Sequence, residues 1–172
     1  MDLLKRFKEI TTFVFDVDGV LTDGKVFLLE NGLQARAMNI KDGLALQLAQ
    51  QKYRVVIISG GYSEPVLSRL QYLGLTAIFL GTKDKVGALE NYCSDHVIPW
   101  QEVLYMGDDL PDLPVLKKVG LACCPADAVP EVKKLSQYIS KKSGGDGCVR
   151  DVIEKVLKLN GHWQSETDLV SQ

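Results

Sequence analysis

Asp16-Val17-Asp18-Gly19-Val20-Leu21-Thr22 puts two carboxylates two positions apart, directly after the apolar run Thr12-Phe13-Val14-Phe15. Ser59-Gly60-Gly61 follows a second run, Arg54-Val55-Val56-Ile57-Ile58, and Gly107-Asp108-Asp109-Leu110-Pro111-Asp112 follows a third, Val103-Leu104-Tyr105-Met106. Lys83 and Lys85 come shortly after Ala77-Ile78-Phe79-Leu80. Taken singly, each piece has an ordinary structural explanation, since Asp-x-Asp-Gly and Gly-Asp-Asp are common in turns and helix caps. Their order, each just past an apolar run, points instead to one shared site.

Physical chemistry narrows what such a site does. Crowded carboxylates repel one another unless a cation joins them. A donor set of oxygens without His or Cys suits Mg²⁺, which takes one or two carboxylates, waters and substrate phosphate oxygens. A lysine and a serine hydroxyl beside that ion suit a phosphoryl group, whose charge spreads over its equatorial oxygens in the transition state. One carboxylate can be the nucleophile, forming an aspartyl phosphate. The other, two residues on, can protonate the leaving oxygen and then activate water. The residues thus point to Mg²⁺-dependent phosphoryl transfer.

The elements that must hold these groups are legible too. The apolar runs lack polar alternation and read as strands buried on both faces of a parallel sheet, with Val119-Gly120-Leu121-Ala122 as a further candidate. Helix-length segments separate them: Gly43 to Lys52, Glu64 to Leu73 with Ser63 as N-cap, Val86 to Ser94, Leu113 to Val119, Pro130 to Ser136 and Val149 to Leu159. Strands alternating with helices predict a doubly wound, Rossmann-like α/β sandwich, whose ligands bind beyond the carboxyl ends of the strands. Asn31-Gly32 between Lys25-to-Glu30 and Leu33-to-Met38 predicts a projecting β-hairpin over about residues 24–39. Gln164 to Gln172 are polar and read as a frayed end.

Composition excludes other classes. At 172 residues the chain suits one domain, with no linker, repeat or low-complexity stretch. Its net charge of −2 leaves no footprint of nucleic-acid binding, and no apolar run approaches a membrane span. The acid at Asp2 and the short apolar stretch after it do not read as a signal peptide, so a cytoplasmic protein is expected. Cys93, Cys123, Cys124 and Cys148 lack zinc-site spacing and read as small buried hydrophobes or surface thiols, while His96 and His162 stand alone. A phosphoacceptor signalling domain also uses Asp, Mg²⁺, Ser/Thr and Lys. It carries its acceptor Asp on a middle strand, however, and no Asp ends the Ile57-Ile58 run here. A dead scaffold is disfavoured by the complete set of carboxylates.

From Phe13 to about Leu159 the chain resembles the haloacid dehalogenase superfamily of phosphohydrolases, with its four motifs in order. The resemblance implies Asp16 as nucleophile, Asp18 as general acid/base and backbone-carbonyl metal ligand, Ser59 and Gly60 as phosphate binders, Lys85 rather than Lys83 as the motif lysine, and Asp108 as a metal ligand supported by Asp109. Within it, Asp-Gly-Val-Leu-Thr-Asp-Gly at residues 18–24, the hairpin followed by Asp42-Gly43, and Gly144-Gly145-Asp146-Gly147-Cys148-Val149-Arg150 most resemble the 3-deoxy-D-manno-octulosonate 8-phosphate phosphatases. That family implies a sugar-acid phosphate substrate in lipopolysaccharide precursor synthesis, contacts from Arg69, Thr22 and Arg150, and a homotetramer built on hairpins, with tails (here about residues 143–172) reaching a neighbour's site. Many members carry arginine after the second-motif Ser-Gly, where this chain has Gly61. That departure leaves a nine-carbon sugar-acid 9-phosphate as the alternative substrate. The Gly144–Gly147 segment has two readings: a plain turn, or a backbone able to approach an anion closely.

Spacing adds one expectation. Between Asp18 and Ser59 there is room for a hairpin and one helix, and between Ser59 and Lys85 for one helix and one strand. Neither gap holds a lid domain, so a neighbouring subunit is expected to supply the missing wall.

Overall fold

Side chains of the central strands point alternately into two apolar layers, which is why their sequences are apolar throughout rather than alternating. The computed structural model describes residues 2–163; the expected frayed end, residues 164–172, lies outside the described residues. In chain order the first half contains α1 (Leu3–Glu9), β1 (Thr12–Phe15), β2 (Phe27–Leu28), β3 (Gln34–Ala35), α2 (Ile40–Ala49), β4 (Arg54–Ile58), α3 (Glu64–Tyr72) and β5 (Ala77–Phe79). The second half contains α4 (Lys85–Asp95), β6 (Val103–Met106), α5 (Leu113–Leu116), β7 (Leu121–Cys124), α6 (Pro130–Leu135), β8 (Tyr138–Ile139) and α7 (Cys148–Leu159).

Six strands form one parallel sheet in the order β5-β4-β1-β6-β7-β8. The chain winds outward from β1 through β4 to β5, then crosses to β6 and winds outward on the other side. The switch in direction therefore falls between β1 and β6, whose carboxyl ends carry Asp16 and Asp108. Phe13, Phe15, Ile57 and Met106 face the layer covered by α1, α2, α3 and α7. Val14, Val56, Ile58 and Tyr105 face the layer covered by α4, α5 and α6.

Helix α7 shows how a sequence stripe becomes a packed face. Val149, Val152, Ile153, Val156 and Leu157 recur at helical spacing and are buried. Each such side chain contributes about 1.5–3 kcal/mol on leaving water. Glu154 pairs with both Arg150 and Lys158, each four residues away on the helix.

Expected and observed elements differ where a local interaction outweighs periodicity. Helix α2 begins at Ile40 rather than Gly43, because the Asn39 side chain caps it by accepting from Lys41 N at 2.8 Å. Ser63 precedes α3 without making a side-chain capping bond, and Pro65 occupies the first turn. Strand β7 begins at Leu121 rather than Val119. Gly120 N donates to Trp100 O at 2.7 Å, and a Cβ at Gly120 would stand 1.9 Å from Gln101 O. The hairpin is present but only its β2–β3 ladder, Phe27↔Ala35 and Leu28↔Gln34, is regular. Two elements had no sequence expectation. Helix α1 is capped by Asp2 and anchored by Phe7, and β8 is a two-residue edge strand.

Candidate active site

The backbone at the end of β1 carries the first carboxylate into the switch point. Asp16 N donates to Met106 O across the sheet at 3.1 Å, and Asp16 Oδ1 accepts from Val17 N at 2.7 Å. The following loop turns back on itself, with Thr22 N donating to Val17 O at 3.1 Å. Gly19 has φ +82°, and a Cβ there would lie 2.0 Å from Asp108 Oδ2, so only glycine lets the loops after β1 and β6 meet.

Asp16, Asp18, Ser59, Gly60, Lys85, Asp108 and Asp109 line one open cavity of ≈ 280 Å³, together with Gly61 and Asp112. Lys85, the first residue of α4, is buried; its Nζ donates to Asp16 Oδ2 at 2.7 Å and to Asp112 Oδ1 at 2.7 Å. Lys85, not Lys83, therefore meets the first carboxylate. An ammonium has three N–H groups, so one remains after these two bonds. Burial alone would lower the Lys85 pKa, but the carboxylates of Asp16 and Asp112 together hold it above its ordinary value.

The carboxylates themselves are strained electrostatically. Oxygens of Asp16, Asp108 and Asp112 all come within 4.8 Å of one another. Burial, then the Asp112 charge, raise Asp16 to about 6 against the pull of Lys85. The same two causes, with Asp16 adding to them, raise Asp108 to about 7. Such crowding calls for a counter-charge beyond Lys85, and hard oxygen donors fit a divalent cation such as Mg²⁺. Asp112 is already committed to four donors: Lys85, Tyr105 Oη at 2.6 Å, Asp108 N at 3.0 Å and Asp109 N at 3.3 Å. Asp16 and Asp108 are accordingly the carboxylates better placed to hold the ion.

Residues expected to serve the site are placed as follows. Asp109 accepts from Leu110 N at 2.7 Å and forms a reciprocal cap with Asp112, so its side chain shapes the loop. Thr22, expected to touch substrate, is instead fully buried. Its hydroxyl accepts from Gly19 N at 3.3 Å and Gly24 N at 3.2 Å, and it clamps the loop after β1 from within. Arg69 lies in an adjoining cavity of ≈ 170 Å³ with Gln34, Arg36 and Ser63. Arg150, also expected at the substrate, lines a separate cavity with Asn39, Lys41 and Lys142. Its guanidinium is 3.2 Å from Glu154 and 5.3 Å from the Trp163 ring centroid. Within this chain it is not brought to Asp16. Gly144 and Gly145 approach backbone, whereas Gly147 faces open space: a Cβ on Gly144 would stand 2.0 Å from Gly19 O, and Gly145 N donates to Val20 O at 2.9 Å.

Two residues of the site had no sequence assignment. Asp112 carried a usable signal, since Asp109 and Asp112 have the spacing of a reciprocal cap. Arg36 carried none: it sits beyond β3 and reaches Asp18, with Nε to Oδ1 at 2.7 Å and Nη2 to Oδ2 at 3.3 Å. All four cysteines are buried and free. His162 Nδ1 lies 2.7 Å from Tyr53 Oη, and His96 Nδ1 lies 2.9 Å from Tyr92 O. Neither histidine lines the cavity of Asp16.

Comparison with known proteins agrees with this geometry. The profile of the haloacid dehalogenase-like hydrolases matches residues 68–152. The 3-deoxy-D-manno-octulosonate 8-phosphate phosphatase of Escherichia coli K12 is 35% identical over 161 residues, covering 93% of this chain and 86% of that protein. The crystal structure of the Yersinia pestis phosphatase of the same name superposes with a TM-score of 0.92 at 32% identity, covering 97% of this chain and 91% of that one. The Moraxella catarrhalis phosphatase, solved with magnesium, phosphate and the sugar acid, superposes with a TM-score of 0.87 at 36% identity, over 91% of this chain and 90% of that one. The chain therefore belongs to the 3-deoxy-D-manno-octulosonate 8-phosphate phosphatase family of haloacid dehalogenase-like hydrolases.

Proposed function

We infer that this protein is a phosphatase that hydrolyses 3-deoxy-D-manno-octulosonate 8-phosphate to the free sugar acid and inorganic phosphate. The observation that carries the reading is the convergence of Asp16, Lys85, Asp108 and Ser59 in one cavity at the switch point. It is joined by the identity to phosphatases of that name.

In this reading a carboxylate oxygen of Asp16 attacks phosphorus and the bond to the sugar C8 oxygen breaks. Asp18 gives that oxygen its proton, so the sugar acid leaves as an alcohol. The site then holds an acyl phosphate on Asp16. Asp18, now ionised, takes a proton from water as the water oxygen attacks phosphorus, and Asp16 is freed with release of phosphate. Lys85 keeps Asp16 oriented and has an N–H left for a phosphate oxygen. The Ser59 hydroxyl and Gly60 N–H suit the other oxygens. Bound Mg²⁺, held by the Asp16 and Asp108 carboxylates and the Asp18 carbonyl, would offset the charge of the phosphoryl group.

The same reading extends to assembly and location. Phe27, Leu28 and Leu33 on the hairpin are 59%, 79% and 62% exposed, an apolar surface that supports a homo-oligomer, a tetramer by family likeness. A neighbouring copy would then wall the open cavity, with the whole chain acting as one hydrolase domain. Free, buried thiols support a reducing compartment such as the cytoplasm, and no helix among the described residues is long and apolar enough to cross a membrane.

The deciding assay measures phosphate release from eight-carbon and nine-carbon sugar-acid phosphates with Mg²⁺. The eight-carbon substrate should have the higher kcat/KM, and Asp16→Asn should abolish turnover of both. A nine-carbon preference overturns the substrate, and robust activity of Asp16→Asn overturns the mechanism.

A further inference from the structure

Arg36 approaches the catalytic site from outside its cavity. Asp18 lines the catalytic cavity, whereas Arg36 lines the adjoining one. The Arg36 side chain is 10% exposed and that of Asp18 38%, so the guanidinium sits behind the carboxylate it binds. Its fork engages both oxygens, Nε on Oδ1 at 2.7 Å and Nη2 on Oδ2 at 3.3 Å, which fixes the carboxylate plane in a way one ammonium cannot.

The arm that carries Arg36 is itself tied to the catalytic loop. Met38 forms an antiparallel bridge with Thr22, and the Thr22 hydroxyl holds Gly19 N and Gly24 N. Gly61 also borders Asp18: a Cβ there would stand 3.4 Å from Oδ2, at ordinary contact distance. Hairpin arm, loop and carboxylate form one connected unit.

We propose that Arg36 is a positioning residue: it holds the Asp18 carboxyl at the angle from which it exchanges a proton with the leaving sugar oxygen. This rests on Asp18 being the proton-exchanging group of the reading above. An arginine contacting substrate would change KM. One acting through Asp18 changes the transfer step, and does so most for leaving groups that need a proton.

The test is single-turnover phosphoryl transfer, with enzyme in excess, from the sugar-acid 8-phosphate and from 4-nitrophenyl phosphate. The sugar alkoxide leaves poorly without a proton, whereas nitrophenolate leaves without one. Arg36→Met should slow transfer from the sugar phosphate about tenfold to a hundredfold, with less than about threefold effect on nitrophenyl phosphate and on the KM of the sugar phosphate. Arg36→Lys, which keeps charge but not the fork, should fall between wild type and Arg36→Met, and it carries the test alone if Arg36→Met does not fold. Equal losses on both substrates, or a raised KM with unchanged kcat, overturn the proposal. Asp18→Asn is run beside them and should show the same substrate bias, more strongly. If Asp18→Asn shows no bias, the proton-transfer role of Asp18 fails and the Arg36 proposal with it. If only the Arg36 variants lack the bias, the Arg36 proposal fails alone.

Discussion

Asp112 Oδ1 stands 2.7 Å from Lys85 Nζ, and both side chains are buried in the wall of the cavity that holds Asp16. Asp112 also receives Tyr105 Oη and two loop amides, so one side chain joins α4, β6 and the loop after β6. Lys85 in turn hands the connection to Asp16. Asp16, the nucleophile in the proposed reaction, is thus held through a buried chain of side chains from separate elements.

Replacing Asp112 by Leu should break that connection. Tyr105 Oη and the Asp108 amide would lose a partner, and Lys85 would keep only Asp16. Removing one partner of a buried pair costs about 3–5 kcal/mol, a loss that urea unfolding would register. Phosphatase kcat should fall by about a hundredfold or more through displaced Lys85 and Asp16. A variant of near wild-type stability would show that the Tyr105 and loop contacts are dispensable.

Stability should depend on pH and on divalent metal together. Asp16 and Asp108 titrate near 6 and 7 in the fold against 3.8 as ordinary carboxyls, so the folded protein binds their protons more tightly than the unfolded chain does. Metal-free protein should therefore lose stability as pH rises from about 4 through 7, by several kcal/mol, since each raised pKa unit is worth about 1.4 kcal/mol. Mg²⁺ competes with those protons, so its stabilising effect should grow over the same range. Thermal melts with and without Mg²⁺ at pH 5, 6, 7 and 8 test this. A metal shift independent of pH would count against it.

Asp42 offers a cleaner case away from the catalytic centre. Its Oδ1 accepts from Arg150 N at 2.7 Å at the start of α7, and its buried Oδ2 has no hydrogen-bond partner among the described residues. Burial raises its pKa to about 6. The folded state is therefore penalised once the group ionises. Asp42→Asn retains the acceptor for Arg150 N and removes the charge. It should stabilise the protein by about 3 kcal/mol at pH 8 and by nothing near pH 4, read from urea midpoints at both values.

Gly144 and Gly19 should tolerate no side chain where they meet. A Cβ on Gly144 would lie 2.0 Å from Gly19 O and 2.9 Å from Thr22 O, both backbone atoms of the loop that carries Asp18. Gly144→Ala should cost about 1–3 kcal/mol and lower kcat by displacing that loop. Melting temperature and turnover should fall together. Full activity would mean that the C-terminal glycine segment does not brace the loop.

The sequence by itself carried the layered fold and the location of the site. A strand buried on both faces must be apolar along its length, so β1, β4 and β6 announce themselves, and the polar residues that end them mark the sheet edge where ligands bind. Asp16, Asp108, Ser59 and the pair Lys83 and Lys85 follow from that rule and from the chemistry of their side chains, while the choice of Lys85 came from the family resemblance. Short elements were harder. The two-residue strand β8 has too few residues for a period, and α1 is set by the Asp2 cap and the Phe7 anchor rather than by a long stripe.

Tertiary structure alone decided which partners those groups have. That Asp112 closes on Lys85, that Arg36 grips Asp18 and that Thr22 faces inward are contacts between elements brought together by packing. The family resemblance implies a substrate contact for Arg150 through a neighbouring subunit; within one chain its guanidinium meets Glu154 and Trp163. Local sequence specifies the period and polarity of each segment. The direction in which a side chain points across a loop, and the charge that meets it there, depend on how the layers stack.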